Sequence, residues 1–114
     1  MNANMTKNMT RMFTAVAVLL IAAKAFAAIE VVYDVPYNPA IGTAGLGNLY
    51  LPANYGPDTP VALAIHGGSW SGGDRASWAG VAEFLCNDLG FVVFNIEYRL
   101  TGVGPWPLCG NDCI

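Results

Sequence analysis

The stretch from Val61 to Asp74, Val-Ala-Leu-Ala-Ile-His-Gly-Gly-Ser-Trp-Ser-Gly-Gly-Asp, constrains this chain more than any other. Five apolar residues run without a charge to His66, and four glycines then fall within seven residues, at Gly67, Gly68, Gly72 and Gly73. A short apolar run bounded by glycine is the pattern of a strand buried on both faces. Glycines directly after it let the backbone turn sharply and come close to another group. Main-chain N–H groups left exposed in such a turn can hold a negatively charged oxygen. The expectation is a strand that ends in an anion-cradling turn.

The flanks read as alternating elements. Ile29 to Val35 is β-rich and stops at Pro36, and Asn48 to Leu51 is a second short strand stopped by Pro52. The proline- and glycine-bearing segment between them, Pro36 to Gly47, reads as a hairpin connection. Beyond Asp74 the period changes: Trp78, Val81, Ala82, Leu85 and Leu89 recur at steps of three and four, one face of a helix. Asp74 or Ser77 can cap its start and Gly90 supplies a left-handed stop. Phe91 to Ile96 is again an apolar run of strand length, so the centre predicts a right-handed βαβ unit. Thr101 to Pro107 is a loop, and Leu108 to Ile114 begins a further helix.

The amino terminus has a different character. Lys7 and Arg11 precede an apolar run from Met12 to Ala23, and Ala25-Phe26-Ala27 supplies the small-x-small pattern read by signal peptidase. The run is shorter than the roughly 20 residues that span a bilayer. Residues 1–27 are therefore expected to be a signal peptide cleaved after Ala27, residues 28–114 the folded portion, and the mature chain secreted or periplasmic, off the membrane. All eight acids lie after Ala27 but only Arg75 and Arg99 of the five bases do, a net of −6 for the mature part. No basic face remains to neutralise phosphates, which argues against a nucleic-acid partner.

Three cysteines, Cys86, Cys109 and Cys113, follow the leader. An odd count in an oxidising compartment leaves one thiol over, and Cys109 and Cys113 are spaced for local pairing. Cys86 lies in the helical pattern as a small buried apolar residue. With one histidine and no Cys-x-x-Cys, a protein-built metal site is not expected, and nothing implies a cofactor.

Several chemistries place glycine after a strand. A P-loop ends in Gly-Lys-Ser/Thr, whereas Gly73 precedes Asp74, and a dinucleotide fingerprint fails because Gly67-Gly68-Ser69 lacks the spacing. The bland alternative is a tight strand exit with a buried, hydrogen-bonded histidine. The oxyanion reading needs only the exposed N–H groups.

At these residues a resemblance enters. His66-Gly67-Gly68-Ser69-Trp70, with Gly73-Asp74-Arg75 behind it, resembles the His-Gly-Gly-x-Trp…Gly-Asp-Lys/Arg signature of secreted α/β-hydrolase esterases. The similarity is to the carboxylesterase and hormone-sensitive-lipase-like branch, nearest to acetylxylan/feruloyl esterase-like (BD-FAE-like) domains. Asn48-Leu49-Tyr50-Leu51-Pro52, Asn95-Ile96-Glu97-Tyr98-Arg99-Leu100 and Pro105-Trp106-Pro107 followed by Asp112 resemble three further stretches of that family. The resemblance implies an α/β fold, the amino-terminal and incomplete part of an α/β-hydrolase sheet: a β-hairpin followed by a right-handed βαβ unit. It implies Gly68 and Ser69 as oxyanion-hole N–H donors, Gly67 as the shaper of the turn, His66 as a structural group beside the substrate, and Trp70 as a wall of the acyl or alcohol pocket. Asp74 and Arg99 are implied to be structural polar groups.

The sequence lacks the rest of the machinery. No Gly-x-Ser-x-Gly elbow is present and no histidine follows His66, so no nucleophile, acid and histidine can be assembled in the family's order. In the family's sheet the strand ending at His66 lies between the one ending at Tyr98 and the nucleophile strand, so its outer edge is expected to be bare. The expectation is a fragment of a serine carboxylic-ester hydrolase, inactive alone, whose whole form cleaves a small ester or acylated carbohydrate. The alternatives are a stand-alone secreted interaction domain without catalysis and a fragment of an arylformamidase-like amidase.

Overall fold

Prolines end the first two β-rich runs, and the runs lie against each other as an antiparallel hairpin, β1 (Glu30–Pro36) and β2 (Leu46–Leu51). The computed structural model describes residues 2–5 and 28–114; the charged start, apolar run and cleavage motif of the expected leader lie outside these. The connection expected as a loop is largely a 3₁₀ segment, Pro39–Gly45, which begins with the Asn38 side chain accepting from the Ala40 N–H at 3.2 Å. β2 starts earlier than Asn48 because Leu46 and Gly47 still find partners in Pro36 and Val35.

The central run forms β3 (Val61–Ile65), and the run after Gly90 forms β4 (Val92–Ile96). They pair in parallel from Val61 against Val92 to Ile65 against Ile96. A 3₁₀ turn (Arg75–Trp78) and helix α1 (Ala79–Asn87) connect them. The sheet order is β1-β2-β4-β3, a mixed α/β sheet. Asp74 caps the 3₁₀ turn, its carboxylate accepting from the Ser77 N–H at 3.0 Å. At the far end Gly90 takes φ +73 and its N–H reaches Cys86 O, the single bond of a left-handed helix cap, while the Phe91 N–H reaches Leu85 O. A short helix α2 (Leu108–Asn111) follows, and Asp112 just after it binds Arg99 beyond the carboxyl end of β4.

The core lies between α1 and one face of the sheet, where Tyr50, Ala64, Ala82, Cys86 and Val93 are buried. Two expectations change here. β3 is not buried on both faces: Val61 and Leu63 are 71% and 51% exposed, because α1 covers only the Ala62–Ala64 side. The helical stripe is also displaced. Of the expected stripe, Ala82 and Leu85 do face the core, but Trp78, Val81 and Leu89 are exposed, and Cys86 completes the contact. The three cysteines are free thiols, and the Cys113 Sγ rests on the Cys109 carbonyl at 3.7 Å, not on its sulfur.

Candidate active site

β3 delivers the chain to His66, and the residues after it form a loop whose backbone lies mostly on the left-handed side. Gly68, Ser69, Trp70 and Gly73 have φ of +129, +52, +63 and +87. Two of these positions require glycine outright. A Cβ on Gly68 would sit 1.9 Å from the Gly72 carbonyl oxygen, and one on Gly73 would meet the Gly67 oxygen at 2.4 Å. Ser69 and Trp70 carry side chains in a conformation that costs on the order of 1 kcal/mol or more each, a pattern found at ligand clamps.

The winding turns the Gly68 carbonyl inward. It accepts from the N–H groups of Ser71 (3.0 Å) and Gly72 (3.1 Å) and from the Ser71 hydroxyl at 3.2 Å. Gly68 N–H and Ser69 N–H have no acceptor among the described residues. Successive amides in a left-handed turn form a concavity with positive potential, suited to an oxyanion.

The loop is fixed at its entry by His66, which is 3% exposed. Its ring stacks on Tyr98 at 4.2 Å, and its carbonyl accepts the Tyr98 hydroxyl at 2.9 Å. Nδ1 lies 2.9 Å from Gly67 O and Nε2 lies 2.8 Å from Glu97 Oε1. A carboxylate only accepts, so Nε2 carries a proton. Both ring nitrogens of the buried ring face protein oxygens, Gly67 O and Glu97 Oε1, so His66 is turned into the fold and not toward a substrate. Burial pushes the Tyr98 phenol up, so it stays a donor.

Trp70 is about one-third exposed and packs edge-on against Tyr98 at 5.3 Å and tilted against Trp106 at 5.8 Å. The Trp70 carbonyl accepts from the Thr101 N–H at 2.8 Å, which ties this loop to the one after β4. That second loop is held by Arg99 and Asp112, a forked pair at 2.9 and 2.7 Å with a third bond from the Arg99 N–H at 3.0 Å. The Arg99 hydrogen bonds hold the Asp112 carboxyl below the usual carboxylate range against the opposing effect of burial. Asp74 and Arg99 are thus structural, the first as a cap and the second as one half of this fork.

Glu97 is the residue to which the sequence pointed no role. Its Oε1 faces His66, and its Oε2 accepts from the Arg75 N–H at 3.3 Å. Its partners lie 31 and 22 residues away and meet only because β3 and β4 are parallel neighbours. The one available signal was a carboxylate placed directly after an apolar strand, in step with the histidine that ends the neighbouring strand.

A parallel strand pair, a crossover helix on one face and a left-handed glycine loop at the strand's carboxyl end match part of an α/β-hydrolase sheet. The chain belongs to the BD-FAE family, whose model matches residues 48–114. It is 36% identical over 53 residues to the AB hydrolase superfamily protein C1039.03 of Schizosaccharomyces pombe, covering 46% of this chain and 16% of that protein. Over 63 residues it is 33% identical to the carboxylic ester hydrolase LipN of Mycobacterium tuberculosis, covering 55% of this chain and 16% of LipN. The chain therefore spans about one-sixth of the length of these two curated relatives. Among solved structures, an inhibited esterase B from Lactobacillus rhamnosis superposes with a TM-score of 0.55 at 25% identity, over 85% of this chain and 33% of that one.

Proposed function

We infer that this chain is the oxyanion-hole-bearing portion of a secreted serine carboxylic-ester hydrolase, with Gly68 N–H and Ser69 N–H as the donors. One observation carries the reading: at the exit of β3 these two amides have no acceptor among the described residues, on a backbone fixed by Gly68 and Gly73. In acyl transfer, such donors bind the oxygen that gains charge as the carbonyl becomes tetrahedral, and one donor is worth about 3–4 kcal/mol of transition-state stabilisation. The nucleophile, acid and catalytic histidine come from outside these 114 residues. Trp70 and Trp106 form an apolar wall beside this loop. The substrate class is a small ester or an acylated carbohydrate, with no cofactor. The leader directs export, so the mature chain starts at Ala28.

Reading the coding sequence past Ile114 tests this. An in-frame Gly-x-Ser-x-Gly within several dozen codons is expected, and the extended product hydrolyses p-nitrophenyl acetate while the 114-residue chain does not. A stop codon directly after Ile114 overturns the reading. Preferential cleavage of an N-formyl substrate by the extended product would move it to the amidase class. N-terminal sequencing of exported protein decides whether cleavage falls after Ala27.

A further inference from the structure

We propose that Glu97 is the positioning residue of the oxyanion loop, one carboxylate clamping both ends of the segment from His66 to Arg75. The proposal rests on the oxyanion reading for its functional meaning and on geometry for its substance. Glu97 Oε1 lies 2.8 Å from His66 Nε2 at the loop's entry. Glu97 Oε2 accepts from the Arg75 N–H at 3.3 Å at the loop's exit. Between these points lie the left-handed residues Gly68, Ser69, Trp70 and Gly73, including the Gly68 and Ser69 amides, which have no acceptor among the described residues.

The clamp itself is fixed from behind. Glu97 N–H donates to Leu46 O at 2.8 Å, and the Glu97 carbonyl accepts from the Tyr37 hydroxyl. Arg75 is held on its other side as well, since its carbonyl accepts from the buried Asn95 side chain at 2.8 Å and its guanidinium pairs with Asp34. Ser69 and Trp70 hold their left-handed conformations against a backbone cost, so the loop needs support from its surroundings to keep the amides where they are. An anchor at each end fixes the span and direction of the segment, so the left-handed conformations persist where a freer segment would relax. Hydrogen bonds to a charged group are the strongest available for the purpose. Glu97 touches neither amide, so it acts only through the backbone it holds.

The test is amide hydrogen exchange on the 114-residue chain, with Glu97→Ala and Glu97→Gln beside the wild type. Ser71 and Gly72 N–H report the loop through their bonds to Gly68 O, and Val92 N–H, bonded to Pro60 O, reports the sheet. Glu97→Ala is expected to speed exchange at Ser71 and Gly72 at least tenfold and leave Val92 unchanged. Glu97→Gln, whose amide oxygen serves only one of the two donors, gives a smaller change of the same kind and is the variant to read if the alanine form does not fold. Unchanged exchange at Ser71 and Gly72, or a uniform rise that includes Val92, overturns the proposal. Titration with methylphosphonate, a tetrahedral oxyanion, separates the two readings. Shifts of the Gly68 and Ser69 amides that weaken tenfold in Glu97→Ala support both. Absence of those shifts in the wild type removes the oxyanion reading and leaves exchange to decide the clamp.

Discussion

Gly67 and Gly68 are neighbours in the same turn, yet the backbone asks different things of them. A Cβ on Gly67 meets nothing within 4 Å, whereas on Gly68 it meets a carbonyl oxygen at 1.9 Å and the residue must hold φ +129. Gly67→Ala is therefore expected to change stability by less than about 1 kcal/mol, the range of a tolerated glycine replacement. Gly68→Ala is expected to cost about 1–3 kcal/mol from backbone strain alone and to move the Gly68–Ser69 amides. Urea denaturation midpoints of the two variants check the difference, and equal midpoints would show the turn relaxes at no cost. The glycines and the histidine were legible in the sequence as a turn after a strand. Which glycine is indispensable was not, because that depends on Gly72 folding back over Gly68, a contact made by backbone atoms with no residue-type signature. Glu97 was hidden for the complementary reason, since its partners are distant in the chain and adjacent only across the parallel pair.

The two edges of the sheet are built differently. β1 carries Glu30 at its start, Pro36 at its end, and an irregularity between Val32 and Val35 where Asp34 takes φ +56. A charge, a proline and a bulge are the usual means of blunting an edge. β3, Val-Ala-Leu-Ala-Ile, has none of them, and its Val61 and Leu63 side chains are exposed. Among the described residues its outer edge has no partner strand. The bare edge was expected; the bare face was not, since a run of apolar residues says that a strand is coverable without saying what covers it. The 114-residue chain is expected to self-associate at concentrations where Val61→Lys remains monomeric, with the substitution itself within about 0.5 kcal/mol of neutral because Val61 lies outside the core. Sedimentation velocity over a concentration series checks this, and a wild type that stays monomeric throughout would show that the chain's acidity already protects the edge.

At the scale of the whole molecule, the carboxyl end of β4 is where hairpin, sheet and α2 meet, and two titrating groups there, Tyr37 and Asp112, contribute in opposite senses to the pH dependence of stability. Tyr37 reaches from the hairpin turn to the Ala44 and Glu97 carbonyls, and burial, then the nearby Asp112 charge, push its phenol up to about 12. A tyrosine in the unfolded chain titrates near 10. Its contribution is fully present below that value and is lost as pH rises from about 10 through 12, where the unfolded form releases the proton first. Asp112 works in the opposite sense. Its folded value lies below the ordinary carboxylate range, so its contribution is present above pH about 4 and is lost as pH falls through the folded value. The unfolding free energy should therefore show a plateau bounded by an acid limb and an alkaline limb. Asp112→Asn is expected to flatten the acid limb and, by removing a charge that raises Tyr37, to make the alkaline limb shallower with its onset near pH 10 unchanged. Tyr37→Phe should make the alkaline limb shallower, the raised Tyr98, Cys86 and Cys113 groups keeping part of it, and leave the acid limb unchanged. Urea unfolding from pH 3 to 12, with phenolate absorbance followed in parallel, reads both. An Asp112→Asn variant whose alkaline limb is no shallower would mean that α2 and the hairpin turn are electrostatically independent, and that the forked Arg99 pair holds its own loop without bracing the turn that carries Tyr37.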